Sequence, residues 1–133
     1  GQDLAEFLGR HRHLVSGKRV LDLGTGTGIA GLAAAQCGAR KVIMTDHPAL
    51  GPLVQSNVER NEGVSGSRDI TWVSHASLGP NSWSMESLED DPFDLVLASD
   101  CLYDPAMFSA FRQALVAFCG PRTVLLMTYK RRL

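Results

Sequence analysis

The sequence has no run of apolar residues approaching the ~20 that a membrane-crossing helix needs. It has little charge of either sign in excess: 13 Lys and Arg stand against 14 Asp and Glu, a formal net charge of −1. That balance speaks against a dedicated nucleic-acid module or a polybasic membrane anchor. Cysteine is scarce and odd in number: Cys37, Cys101 and Cys119 are widely spaced, with no CxxC pair. This pattern excludes a disulfide framework and a cysteine-based zinc cluster, and it suits reduced thiols in the cytoplasm, with the nucleus as the alternative compartment. The first residues, Gly1 to Phe7, carry two acids and no basic stretch, so a secretory signal is not expected. Repeats and low-complexity tracts are also missing. His11, His13, His47 and His75 lack metal-ligand spacing, so no metal site is expected.

What is present is globular: 44% of residues are apolar and 20% charged, in 133 residues, enough for one domain spanning 1–133. Short apolar runs alternate with helical stretches. Strands are expected near Val20–Leu23, Lys41–Asp46, Ile70–Val73, Phe93–Ala98 and Thr123–Tyr129. Helices are expected over Ile29–Cys37, ended by Gly38, over Pro52–Asn61, ended by Gly63, and over Pro105–Cys119. In the last of these, Phe108, Phe111, Leu115 and Phe118 recur at spacings of three and four. Ala76 to Pro92 is polar and acidic and reads as a loop. The strands are continuous apolar runs, which is what a parallel sheet covered on both faces requires. The expected fold is therefore α/β, a doubly wound and mostly parallel sheet, with function outside the carboxyl ends of its strands.

The most informative segment is Val20-Leu21-Asp22-Leu23-Gly24-Thr25-Gly26-Thr27-Gly28. Glycines that follow a strand and open a helix let the backbone turn tightly and lie against a ligand. The free N–H groups at such a helix start can then receive a polar or anionic group. Asp46 ends the next strand, where an acid can accept hydrogen bonds from both hydroxyls of a ribose. Its other reading is a cap for the following helix. Gly26 to Gly31 also satisfies GxGxxG, the dinucleotide pattern, but its frame starts late, and Asp22 sets a carboxylate where a pyrophosphate would be repelled. A ligand bearing an ammonium and a sulfonium would be attracted there. No GK[ST] follows the glycines, so nucleotide hydrolysis is not expected.

LDLGTGTG, followed by Thr45-Asp46 on the second strand, resembles the first motifs of class I, seven-β-strand methyltransferases. GIAGLAAAQCGARKVIMTDHPAL, Asn57, Asn61 and DLVLASDCLYD are similar to methyltransferase-like family 16, which contains many protein-lysine methyltransferases. The resemblance runs from about Gly17 to the end of the chain. It implies a Rossmann-like core and S-adenosyl-L-methionine as cofactor, with a protein lysine as methyl acceptor. Asp22 and the turn containing Gly24, Thr25, Gly26 and Gly28 would hold the methionine part, Asp46 the ribose, and Ala98 and Ser99 would border the adenosine and the methyl donor. Asp100 and Tyr103, the ends of the tetrad Asp100-Cys101-Leu102-Tyr103, would face the incoming nucleophile. Trp72 and Trp83 are both candidates for the adenine side, with Trp83 favoured by its spacing to Phe93. Members of the group carry a tryptophan-containing segment before the first helix and a final strand hairpin. Neither is found here, so the resemblance implies a cropped core lacking the last two strands.

Other readings stay beside this one: a small-molecule methyltransferase, an NAD-dependent oxidoreductase, and a non-catalytic module that keeps the fold. The bland reading of Asp100 is a cap for the helix after it. Asn57 and Asn61, one turn apart, read as solvated or capping residues. Cys101 reads as a small buried thiol and the acids from Glu86 to Asp91 as a solvated loop.

Overall fold

The computed structural model describes residues 1–65, 69–74, 92–100, 105 and 108–130. Five strands form one sheet: β1 (Arg19–Leu23), β2 (Lys41–Asp46), β3 (Asp69–Ser74), β4 (Leu95–Ser99) and β5 (Val124–Thr128), in the order β3-β2-β1-β4-β5. Every pairing is parallel, as the unbroken apolar runs require. The helices are α1 (Gln2–Arg10), α2 (Ile29–Gln36), α3 (Gly51–Ser65) and α4 (Phe108–Phe118). Strand order reverses between β1 and β4, so the crevice of a doubly wound sheet opens at the carboxyl ends of those two strands.

Alternate residues of each strand serve opposite faces. Val20, Val42, Met44, Leu95 and Leu97 pack with Leu4 and Leu8 of α1, Ala30 and Ala34 of α2, and Val54 and Val58 of α3. Leu21, Leu23, Ile43 and Val96 pack with Ala114 and Phe118 of α4 on the other side. The two-residue period of the strand makes this division possible. At the end of the sheet away from the crevice, buried Arg19 is fully engaged. Its N–H donates to Asp94 Oδ2 at 2.8 Å, its guanidinium donates to the Pro92 carbonyl at 3.1 Å, and it lies 4.9 Å from the Phe93 ring centre.

Differences from expectation are local. α1 has no counterpart in the expected elements, although Leu4 and Leu8 lie one turn apart and are its buried residues. α3 runs on through Gly63 to Ser65, and the described part of α4 starts at Phe108 rather than Pro105. The expected loop of Ala76 to Pro92 lies outside the described residues, apart from Pro92. At the end of the sheet, β5 is the edge strand, and Val124, Leu125 and Met127 are exposed on it.

Candidate functional site

The site is built on the turn from β1 into α2. Gly24, Gly26 and Gly28 hold φ of 63°, 60° and 90°, in the left-handed region that side chains other than glycine's disfavour. At Gly26 nothing lies within 4 Å of where a Cβ would stand, so the loop tip faces open space. Gly28 N–H donates to the Thr25 carbonyl at 2.9 Å, and Thr25 N–H donates to the Thr45 carbonyl at 2.8 Å, which ties the loop to β2.

Asp22 lies beneath this loop on the face that meets α2 and is 1% exposed. Its Oδ2 accepts from the Thr25 hydroxyl and from Gly31 N–H at 3.0 Å, while Oδ1 is buried and has no hydrogen-bond partner among the described residues. Burial pushes its carboxyl up to about 7. The Thr25 and Gly31 bonds and the terminal amine pull the other way, and the charge of Asp46 adds to the rise. A desolvated carboxylate with one vacant oxygen is a receptor for a cation or a strong donor. Gly31 has its own reason to be glycine. A Cβ there would stand 2.5 Å from Met44 Cε and 3.1 Å from Asp22 Oδ2, so a side chain at this position would require the buried Met44 and Asp22 to shift or α2 to stand off from the sheet.

Asp46 faces the same loop from the end of β2. Its Oδ2 accepts from Gly26 N–H at 2.8 Å and its Oδ1 from His47 N–H at 2.6 Å. The capping bond to the next turn comes from elsewhere: His47 Nδ1 accepts from Ala49 N–H at 3.1 Å. Asp46 is therefore directed to the glycine loop. Among the residues read as bland, Asn57 on α3 also reaches this loop, its Nδ2 donating to the Thr27 carbonyl at 2.7 Å.

Across the crevice, Ala98 is fully buried, and of the expected pair only Ser99 presents surface. The Ser99 and Thr128 hydroxyls lie 3.2 Å apart. Asp100 follows with φ of 53°, the one non-glycine residue with positive φ among those described, and its N–H donates to the Thr128 carbonyl at 2.7 Å. Asp22, Gly24, Thr25, Gly26, Gly28 and Asp46 are thus gathered in one cluster at the end of β1 and β2, and Ser99 and Asp100 end the neighbouring β4. Tyr103, Trp83 and Cys101 lie outside the described residues, as does the side chain of Trp72. Gly31 and Asn57 are residues that sequence reasoning named but gave no place in the site. Gly31 was the last glycine of the GxGxxG match, and Asn57 belonged to the resemblance but was read as solvated or capping.

A doubly wound parallel sheet, a glycine turn with a buried acid beneath it and a second acid one strand over define a Rossmann-like methyltransferase fold. The chain belongs to the lysine methyltransferase family, whose profile matches residues 2–133. It is 35% identical over 105 residues to histone-arginine methyltransferase METTL23 of Xenopus laevis, covering 79% of this chain and 43% of that protein. It is 33% identical over 129 residues to protein N-lysine methyltransferase METTL21A of Danio rerio, covering 97% of this chain and 57% of that one. The chain spans about half the length of these relatives. Among solved structures, the Trypanosoma brucei PRMT1 enzyme–prozyme complex with AdoHcy matches with a TM-score of 0.71 at 24% identity, over 93% of this chain and 37% of that one, a likeness of fold.

Proposed function

We propose that this protein is an S-adenosylmethionine-dependent methyltransferase whose acceptor is a protein lysine. The observation that carries the reading is the buried Asp22, whose Oδ1 has no hydrogen-bond partner among the described residues, beside a glycine turn open to solvent at Gly26. The residues fit this cofactor: a buried carboxylate suits its cationic methionine end, and Asp46 at the end of β2 suits its ribose. They suit a dinucleotide less well, because its pyrophosphate would lie against the glycine turn above the Asp22 carboxylate. The NAD reading is set aside on that ground.

When bound, the cofactor supplies an activated methyl group on a sulfonium that leaves as a neutral thioether. The chain's own work is positioning. Asp22, with Gly24, Thr25, Gly26 and Gly28, holds the methionine end. Asp46 accepts from the ribose hydroxyls, and Ser99 borders the methyl donor beside buried Ala98. Trp83 belongs to the adenine side in this reading.

A lysine amine has an ordinary pKa of ~10.4 and must shed a proton before it can attack. Partial desolvation and a neighbouring cation both lower that value. Asp100 orients the amine through its carboxylate, and Tyr103 supplies an aromatic wall and a hydroxyl. The turned backbone of Asp100 supports that role, since its N–H is engaged by Thr128. An arginine acceptor is the second reading. The likeness to a relative named as a histone-arginine methyltransferase favours it, and a carboxylate orients a guanidinium equally well. We assign the cytoplasm or nucleus as the compartment, on the free thiols Cys37 and Cys119.

The test is transfer of labelled methyl groups from S-adenosylmethionine into the proteins of a cell extract, followed by mapping of the modified side chain. Label on lysine nitrogen supports the proposal, and label on arginine selects the second reading. A protein that binds neither S-adenosylmethionine nor S-adenosylhomocysteine overturns both.

A further inference from the structure

The glycine turn is held from its own strand and also from α3. Asn57 Nδ2 donates to the Thr27 carbonyl at 2.7 Å across thirty positions of sequence. Because the acceptor is a carbonyl oxygen, the Asn57 side chain must present its NH2 group there. The same Thr27–Gly28 peptide unit donates through Gly28 N–H to the Thr25 carbonyl at 2.9 Å. One residue earlier, Gly26 N–H donates to Asp46 Oδ2 at 2.8 Å. The tip of the loop is therefore clamped at two points by the unit that begins at the end of β2, through Asp46 and through Asn57.

The clamp matters because the segment it holds is glycine on both sides. Gly26 and Gly28 sit at φ of 60° and 90°, and glycine populates positive and negative φ about equally. Glycine at position 28 leaves the Thr27–Gly28 peptide unit freer to rotate than a larger residue would, and rotation would turn its N–H and C=O away from their partners. Its N–H is held by the Thr25 carbonyl, and among the described residues its carbonyl is held by the side chain of Asn57. The residue does little for packing: the buried positions of α3 beside it are Val54 and Val58, whereas Asn57 is only partly buried. Asparagine is also a poor helix former, so α3 gains nothing from its presence in mid-helix.

We propose that Asn57 is a positioning residue for the cofactor loop: its bond to the Thr27 carbonyl holds the Gly26–Gly28 tip in the orientation that receives the methionine end of the ligand. This rests on the methyltransferase reading above and adds to it a residue that acts on the ligand through the loop. Asp46 and Asn57 also give the two halves of the site a common support. The ribose side and the methionine side are fixed by one β2–α3 unit, so a full-length ligand gains from a loop already in place.

The experiment compares two probes by calorimetry on the unsubstituted protein and on Asn57→Ala. S-adenosylhomocysteine spans both halves of the site, whereas 5′-methylthioadenosine lacks the amino-acid end. The proposal expects Asn57→Ala to weaken S-adenosylhomocysteine about five- to tenfold, the worth of one hydrogen bond that preorganises a loop. It expects 5′-methylthioadenosine binding to change less than about twofold. It also expects the melting temperature of the unliganded protein to hold or rise, because Thr27 is exposed and water can take its carbonyl, while alanine favours the helix. Asn57→Asp, of the same size but without the donor, should weaken S-adenosylhomocysteine at least as much, and it carries the comparison if the alanine variant does not fold. Equal losses for the two probes, or no loss for either, overturn the proposal and leave the methyltransferase reading standing. Failure of the unsubstituted protein to bind either probe overturns the methyltransferase reading, and the role of Asn57 falls with it.

Discussion

The backbone N–H of Gly26 donates to the carboxylate of Asp46 at 2.8 Å, so the acid that ends β2 and the glycine turn that follows β1 are a single unit. Asp46 holds the loop, and in the proposed function its remaining lone pairs serve a ribose as well. Asp46→Ala should therefore weaken S-adenosylhomocysteine binding by more than a lost ribose contact alone, on the order of 100-fold. Asp46→Asn, which keeps one acceptor oxygen for Gly26, should lose roughly tenfold. Titration calorimetry of both variants checks the order, and equal losses would show that the loop bond contributes nothing.

Asp22 makes stability depend on pH. Its carboxyl is raised from 3.8 to about 7 in the folded protein, mainly by burial. The folded state thus holds a proton that the unfolded chain gives up, and the stabilisation is present in full below about pH 4 and is lost as the pH rises through about 7. Lifting a carboxyl that far corresponds to a cost on the order of 4 kcal/mol for keeping the charged form at alkaline pH. Denaturant unfolding between pH 4 and 9 should show stability falling up to about pH 7 and levelling above it for the unsubstituted protein. That slope should be missing in Asp22→Asn, which should also bind S-adenosylmethionine at least about tenfold more weakly.

Gly31 should not tolerate a methyl group, even though it sits in a helix where alanine is ordinarily favoured by about 1 kcal/mol. The added carbon would stand 2.5 Å from Met44 Cε, 3.0 Å from Met44 Cγ and 3.1 Å from Asp22 Oδ2, and Met44 is fully buried. Gly31→Ala is expected to destabilise the protein by roughly 1–3 kcal/mol through overpacking. Thermal unfolding measures it, and a gain in stability would contradict the packing of α2 on β1 and β2 described above.

The positive φ of Asp100 separates the backbone's share from the carboxylate's. Asp100→Gly and Asp100→Ala both remove the side chain, but only alanine keeps the left-handed strain. The glycine variant should be the more stable of the two by about 1 kcal/mol. Both should retain S-adenosylhomocysteine binding and lose methyl transfer by about 100-fold or more, if the carboxylate orients the acceptor. Full transfer activity in either variant removes Asp100 from the site.

Much of this architecture was legible from residue order. Unbroken apolar strands announced a parallel sheet, and Gly38 announced the end of α2, where it takes φ of 92°. The glycine turn, Asp22 and Asp46 could be picked out because their meaning depends on local sequence: a strand, a turn and a helix start. α1 was passed over because its buried signal is only Leu4 and Leu8 within an otherwise polar stretch. Asn57 and Gly31 were given no role in the site for a different reason. Their partners, Thr27 for one and Met44 for the other, are distant in sequence and become neighbours only when helices dock on the sheet.

The sequence by itself determined the class of fold and the chemistry at the ends of β1 and β2, because periodicity, glycine placement and acid placement are local properties of the chain. Only the tertiary structure decided which lone pairs are left open. Docking α2 within a glycine's width of β1 buries Asp22, engages its Oδ2 and leaves its Oδ1 without a partner among the described residues. Docking α3 beside the turn brings Asn57 to Thr27. Desolvation and hydrogen-bond satisfaction are set by what surrounds a group in space, and residue order alone does not specify those surroundings.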